Sequence, residues 1–475
     1  MAYDQWIDRF KEECGVFGIF NKTQKDIAYL TYAALNSLQH RGQESCGVVF
    51  SNMGHISSIK GMGLVLDTFN KKNLSKIKGI CAIGHVRYST FGDSNLKNAQ
   101  PILDSYNKGS IAIAHNGNII NANKVKSTIN KKFKTSADSE VILKSIESYL
   151  EKSLCIEDSI KNTMKVIKGS YAFLLLTKDS LIGVRDPNGI RPLCIGKIDN
   201  SYVLSSESCA LDIIGAEFIR DVNPGEIIII DNNGLKSINT IQNPKCKTCA
   251  FEYIYFARQD SIIDNIKVYD FRLELGKQLY KECPIDADIV IGVPESGLAA
   301  ALGYSRASNI PYEIGFVKNC YMGRTFIAPS QGIRDINTKI KLNVIASNVK
   351  DKRVIVVDDS IVRGTTSKKI VNLLKNAGAK EVHFRVSSPM VKFPCNLGIN
   401  TPSKNELLCA HKNINKIKDI LEVDSIGYIS IEGFVNCFKQ KKYVCMGCFN
   451  GNYPVENYKI LEDDYYELYN SNGCC

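Results

Sequence analysis

The feature that most constrains this 475-residue chain is a change of rhythm about halfway along it. Up to about residue 240 the apolar residues come in short runs, CGVFGIF, SCGVVFS, CAIGHVRYS, SIAIAHNG, SYAFLLLT, SLIGVRD, SYVLSS and EIIIID, separated by Gly, Asn and Asp. Runs of that length bounded by turn formers predict strands. Two helical patterns interrupt them, around Ile27 to Gln39 and around Ser139 to Lys152, so layered sheets covered by helices fit better than an all-strand sandwich. After about residue 250 strand and helix alternate, DADIVIGVP leading into SGLAAALGYSRAS, and RVIVVDD into TTSKKIVNLLKNAGA and EVHFRVSS. That alternation predicts a parallel sheet of βαβ units. Val354 to Val357 form a continuous apolar run, as a strand buried on both faces requires, while Ile370, Val371, Leu373 and Leu374 set an apolar helical stripe.

A chain of this length suits two domains of roughly 200 residues with a smaller appendage. We set the boundaries at 1–13, a removable leader; 14–245; 246–435; and a C-terminal tail, 436–475. A hydrophobic fraction of 44% and a charged fraction of 23% exclude wholesale disorder and collagen-like classes. No stretch reaches a membrane span, and MAYDQWIDRFKEE lacks the apolar core of an export signal, so the expectation is a soluble, cytoplasmic protein. The net charge of +11 favours an anionic partner. Its lysines are scattered, however, with no basic stripe interleaved with aromatics, which argues against nucleic acid.

Seventeen cysteines in a chain without an export signal need a reason other than disulfides. A catalytic thiol, metal or cluster ligands and small buried hydrophobes are the alternatives. Cys14 opens the first strand. A thiol that attacks a carboxamide needs a base, and the free α-amine of an N-terminal residue, with a pKa of about 7.7 to 8, serves without any histidine. Cys14 has such an amine only if residues 1–13 are removed.

CGVFGIF, LQHRGQES, IGHVRYST and AHNGNI, in this order, resemble the N-terminal-nucleophile glutamine amidotransferases. The resemblance implies an αββα layered domain in which Cys14 is the nucleophile, Arg87 pairs with the substrate carboxylate and Asp138 in TSADSE receives its α-ammonium. Asn116 and Gly117 would form the oxyanion hole, a side-chain amide and a backbone N–H at a glycine-permitted turn aiming two donors at the developing charge. His40 and His85 are read as structural, since an N-terminal amine makes a second base unnecessary.

VIVVDDSIVRGTTS ends a strand and opens a helix, where backbone N–H groups and the helix dipole favour an anion. It lacks P-loop spacing. Asp358 and Asp359 suit ribose hydroxyls and a hydrated Mg²⁺, and Arg363 to Ser367 suit a single 5′-phosphate. The stretch resembles the signature of type I phosphoribosyltransferases, which implies phosphoribosyl pyrophosphate bound by Asp358, Asp359, Ser360, Arg363, Gly364, Thr365, Thr366 and Ser367. By the same resemblance Ser296 in GVPESG faces the pyrophosphate and its metal, and CYMGRTFIAPSQGIR is a closing loop that brings Arg324 and Gln331 to the substrate.

Cys246, Cys249, Cys395, Cys445 and Cys448 are five candidates for four places in a Cys₄ site, and spacing alone does not separate zinc from an iron–sulfur cluster. A redox CxxC at 445–448 is disfavoured by its Tyr/Asn-rich surroundings. Cys474 and Cys475 have no evident role. Together the two halves resemble the amidophosphoribosyltransferase family, in its cluster-containing, propeptide-cleaved class. That resemblance implies [4Fe–4S] ligation by Cys249, Cys395, Cys445 and Cys448, with Cys246 a bystander. It also implies ammonia taken from glutamine and delivered to phosphoribosyl pyrophosphate at the start of purine synthesis, inhibition by purine nucleotides, and a homotetramer. A glutamine amidotransferase with another acceptor would lack DDSIVRGTTS, and a non-catalytic sensor would have no use for Cys14, Arg87 and Asp138.

Overall fold

The computed structural model describes residues 14–21, 26–52, 54–88, 93–107, 109–319, 342–399, 403–438, 443–456 and 458. The eight short apolar runs of the first half are all strands, and they divide between two sheets. The seven-stranded sheet runs in the order Glu217–Asp221, Cys194–Ile198, Ser201–Ser205, Gly15–Phe20, Cys81–Arg87, Ser45–Asn52, His55–Met62. The six-stranded sheet runs Gly234–Asn239, Glu226–Asp231, Leu181–Arg185, Gly169–Leu176, Gly109–Ile119, Ile102–Tyr106. Neighbours in both are antiparallel.

Three apolar clusters show how the layers stack. Val16, Phe20, Val49 and Ile83 of the first sheet meet Ala112, Ala114, Leu174 and Ile228 of the second, so the two sheets pack face to face. The outer face of the first is covered by the helix Ile27–Ser37 through Leu35 and Leu38, and that of the second by Asp138–Glu151 and Ile156–Val166 through Ile142, Ile146 and Ile160. The order is helix, sheet, sheet, helix, and it follows from strands whose alternate residues are apolar on both faces.

In the second half Ile289–Gly292, Arg353–Asp358, Glu381–Val386 and Ser425–Tyr428 form a four-stranded parallel sheet in that spatial order. Val354 to Val357 are fully buried in its interior. The helices Thr365–Asn376 and Ile414–Leu421 cover one face; Val268–Glu282 and Leu298–Ser308 cover the other, which also carries Phe434, Phe438 and Phe449. Leu373 is only half-buried, so the helical stripe is narrower than its composition predicted: Ile370, Val371 and Leu374 do the packing. No helix among the described residues is long and apolar enough to cross a membrane.

The halves are joined by buried polar contacts. Asn118 donates to the carbonyl of Asn396 at 2.7 Å and Ser170 to that of Leu397 at 2.8 Å.

Candidate functional site

Cys14 lies at the start of the first strand, 6% exposed, with its thiol donating to the Tyr88 carbonyl at 3.4 Å. Its own carbonyl accepts from Arg41 Nε at 3.1 Å, which fixes the main chain at Cys14. Burial pushes the thiol up to about 11; the Tyr88 contact and Arg87 pull it down, while Asp138 and Glu44 push it up. In the uncut chain it is therefore protonated at neutral pH and needs a base to react. The same electrostatics put Arg87 and Asp138 around one thiol, although one ends the strand Cys81–Arg87 and the other begins the helix Asp138–Glu151.

Asp138 Oδ2 accepts from the Ile119 backbone N–H at 2.9 Å and lies 3.7 Å from His115 Nδ1, which ties the carboxylate to the strand that carries Asn116 and Gly117. These two residues were expected at a turn. They lie instead inside the strand Gly109–Ile119, opposite Ala172 and Tyr171. Gly117 has φ +140°, and a Cβ there would sit 2.1 Å from the Ser170 carbonyl, so only glycine fits. Asn116 Nδ2 is buried and has no hydrogen-bond partner, an uncommon state for an amide donor and the one expected of a donor held ready for a transient charge.

Both tempting histidines have other duties. His85 Nε2 bonds the His115 carbonyl at 2.9 Å, linking the two sheets, and burial drives its pKa down to about 3. His40 Nε2 lies 2.7 Å from Glu207 Oε1.

In the second half Asp358 ends its strand, and Asp358, Asp359, Ser360 and Ser367 are all buried. Asp359 N–H bonds Asp358 Oδ1 at 2.9 Å and the Ser360 hydroxyl donates to Asp359 Oδ1. The helix begins at Thr365 with Gly364, φ +84°, in the N-cap place. Thr365 and Thr366 are thus the first helical residues, at the helix end whose dipole favours an anion. Arg363 pairs with Glu406 at 2.8 Å. The GVPESG loop packs against the same strand end: Val293 N–H bonds the Val357 carbonyl at 2.9 Å, and a Cβ on Gly297 would lie 2.4 Å from that oxygen. The loop thus meets the residue that precedes Asp358, and its Ser296 hydroxyl is buried and without a hydrogen-bond partner. Arg324 and Gln331 lie outside the described residues, as do residues 1–13, Cys474 and Cys475.

Cys249, Cys395, Cys445 and Cys448 are buried thiols in no disulfide. Cys249 and Cys445 are register partners in a short parallel pair, and the N–H groups of Lys392 and Phe393 bond the Cys448 carbonyl at 2.9 and 3.0 Å, bringing the Cys395 segment to it. Burial raises every one of these thiols, Cys445 to about 12, and each of the others adds to the rise at Cys448. Among the described residues no three His, Cys, Asp or Glu side chains are arranged to hold a single metal ion. Cys246 is occupied elsewhere: its sulfur lies 3.2 Å from Asp264 Oδ2 and 3.1 Å from the Thr248 hydroxyl, beside the Arg185–Asp264 ion pair.

Sequence patterns did not reveal the charged network between the halves. Arg41, fully buried, pairs with Glu207 at 2.5 Å and with Glu252 at 2.7 Å. Glu207, held well below the usual carboxylate range against its burial by His40 and Arg41, also accepts from Arg258 N–H at 2.9 Å and the Ser261 hydroxyl at 2.6 Å. Arg41 sits in LQHRGQES and Glu252 in FEYIYFAR; the available signal was a charge embedded in an otherwise apolar or glycine-bounded run.

A family model described as a glutamine amidotransferase domain matches residues 85–212, and one described as a phosphoribosyl transferase domain matches residues 260–388. The chain is 44% identical over 462 residues to an amidophosphoribosyltransferase of Bacillus subtilis, spanning 95% of this chain and 96% of that protein. It is 45% identical over 449 residues to one of Archaeoglobus fulgidus, spanning 93% and 98%. A solved structure described as the allosteric regulatory enzyme of purine biosynthesis matches with a TM-score of 0.89 at 44% identity, over 94% of this chain and 97% of that one. Another, a glutamine phosphoribosylpyrophosphate amidotransferase from B. subtilis complexed with ADP and GMP, matches with a TM-score of 0.88 at 44% identity, over 94% and 98%.

Proposed function

This chain belongs to the amidophosphoribosyltransferase family, and on that premise we propose how its residues divide the reaction. Glutamine, phosphoribosyl pyrophosphate and water give 5-phosphoribosylamine, pyrophosphate and glutamate, the first step of purine biosynthesis. The observation that carries the residue assignments is that Cys14, Arg87 and Asp138 share one buried electrostatic environment beside a strand whose Asn116 amide has no partner.

Loss of residues 1–13 exposes the α-amine of Cys14, which takes the thiol proton. Arg87 and Asp138 hold the α-carboxylate and α-ammonium of glutamine, and the thiolate attacks the side-chain carbonyl. Asn116 Nδ2 and the Gly117 N–H receive the negative charge that develops on oxygen. The α-ammonium of Cys14 then protonates the departing nitrogen, ammonia leaves, and water releases glutamate from the γ-glutamyl thioester. A closed passage carries the ammonia to the second half, which keeps it unprotonated.

There Arg363, Gly364, Thr365, Thr366 and Ser367 wrap the 5′-phosphate, Asp358 and Asp359 hold the ribose, Ser360 adds a further contact to phosphoribosyl pyrophosphate, and Arg324 and Gln331 close over the substrate. The buried oxygens of Ser296, Asp358 and Asp359 fit a hard cation, and Mg²⁺ bound there would neutralise the departing pyrophosphate. Four buried thiols brought together from three segments fit a [4Fe–4S] cluster on Cys249, Cys395, Cys445 and Cys448, which would tie those segments together. A cytoplasmic location, a homotetrameric assembly and regulation by purine nucleotides complete the reading; the related B. subtilis enzyme was solved with ADP and GMP.

The test supplies purified protein with phosphoribosyl pyrophosphate, Mg²⁺ and glutamine labelled with ¹⁵N in its amide. The label should appear in phosphoribosylamine with glutamate and pyrophosphate formed in equal amounts. Glutamate without pyrophosphate would overturn the reading.

A further inference from the structure

The loop Asp186–Arg191 belongs to the first half of the chain, yet its far end lies among the cysteines of the second. The Asp186 carboxylate gathers the loop, accepting from the N–H groups of Asn188 at 2.8 Å, Ile190 at 2.9 Å and Arg191 at 3.4 Å. So held, the loop offers two contacts. The Ile190 carbonyl accepts from Cys249 N–H at 3.1 Å. The Arg191 guanidinium donates through Nη2 to the carbonyl of Leu397, whose own N–H points at Cys395 Sγ at 3.4 Å. The turn after Cys395 is shaped around this group: Gly398 has φ +91°, and a Cβ there would stand 2.6 Å from Arg191 Nη2. Arg191 is fully buried, and its Nη1 lies 3.6 Å from Glu252 Oε1, three residues beyond Cys249.

A buried arginine is costly unless its charge is needed. Arg191 shares Glu252 with Arg41, which lies 2.7 Å from that carboxylate. Four thiolates around an oxidised four-iron core leave a net charge of about −2, and a buried dianion needs a cation close by. Arg191 stands between two of the segments that would bear it.

We propose that Arg191 is the counter-charge and positioning residue of the cysteine cluster, so that a residue of the glutaminase half anchors the Cys249 and Cys395 segments of the other half. This rests on the [4Fe–4S] reading above. The same guanidinium leads through Glu252 and Arg41 to the Cys14 carbonyl, which makes the cluster's surroundings continuous with those of the nucleophile.

The experiment compares the full chain with Arg191→Gln and Arg191→Lys, all purified anaerobically. It measures iron per chain, the rate of iron release to a chelator and the reduction midpoint of the cluster. Arg191→Gln keeps an N–H donor but no charge; it should release iron about ten- to a hundredfold faster, the range for loss of a group supporting metal ligands, and its midpoint should move to more negative potential. Arg191→Lys should keep a midpoint near that of the wild type while releasing iron faster, because the charge remains and the planar contact is lost. If the glutamine variant does not fold, the lysine variant decides: a midpoint displaced as far as loss of the charge would displace it overturns the proposal. Wild-type release and midpoint in both variants would overturn it while leaving the cluster intact. A wild-type protein without iron would overturn both.

Discussion

Asn116→Ala isolates the transition-state role of one side chain. In the resting structure Asn116 Nδ2 is buried and bonds to nothing, so deleting it breaks no hydrogen bond and removes an unsatisfied donor. The stability change should accordingly stay within about 1 kcal/mol, the loss of a little packing offset by relief of the orphaned group. In the proposed reaction the same donor meets the developing oxyanion. Removing one such donor typically lowers kcat about 10²–10³-fold, or roughly 2.7–4 kcal/mol. Because the contact forms only in the transition state, KM for glutamine should change little. The assay follows glutamate release over a range of glutamine concentrations, with pyrophosphate release from added ammonia as control and urea unfolding as a check on folding. The expected pattern is a kcat loss confined to glutamine, with the ammonia reaction and the unfolding midpoint near wild type. A kcat loss below threefold, or a fall in both reactions together with the unfolding midpoint, would refute the reasoning.

Arg87→Ala should raise KM for glutamine roughly 10- to 150-fold by removing a charge-assisted contact, without altering the ammonia reaction; initial-rate kinetics with each nitrogen source check it. For wild type, kcat/KM for glutamine should rise with pH through an apparent pKa of about 7.7 to 8, that of the Cys14 α-amine as it loses its proton. A rise deferred toward the thiol's own value, about 11 in the uncut chain, would contradict the amine as base. Arg41→Met leaves Glu207 and Glu252 buried without their shared cation, so urea unfolding should show a loss of about 3–5 kcal/mol; a loss under 1 would contradict the network's role. Cys395→Ser should lose bound iron while Cys246→Ser retains it, since the Cys246 sulfur already bonds Asp264 and Thr248, and metal analysis of the two variants separates them.

The strands of the first half were legible because apolar runs between turn residues leave few other folds, and Cys14 stood out as a candidate because four motifs accompany it in register. Features whose meaning lies in a distant partner escaped. His55–Met62, an edge strand with no buried residue, has too little apolar content to declare itself. Arg41, Glu207, Glu252 and Arg191 gain their roles only when folding brings the charges together. Asn116 and Gly117 read as a turn because an Asn-Gly pair usually makes one; here the cross-strand approach of Ser170 explains the glycine. Spacing alone did not set Cys246 apart from the other four; the resemblance did, and the Asp264 and Thr248 contacts give a physical reason.

The central claim is that nitrogen released at Cys14 is consumed at the site beside Asp358 and Asp359. Its most direct test is pyrophosphate release from phosphoribosyl pyrophosphate by Cys14→Ala, with glutamine and then with ammonia. The account predicts no reaction with glutamine and near wild-type reaction with ammonia; retained activity with glutamine, or loss of both, would contradict it.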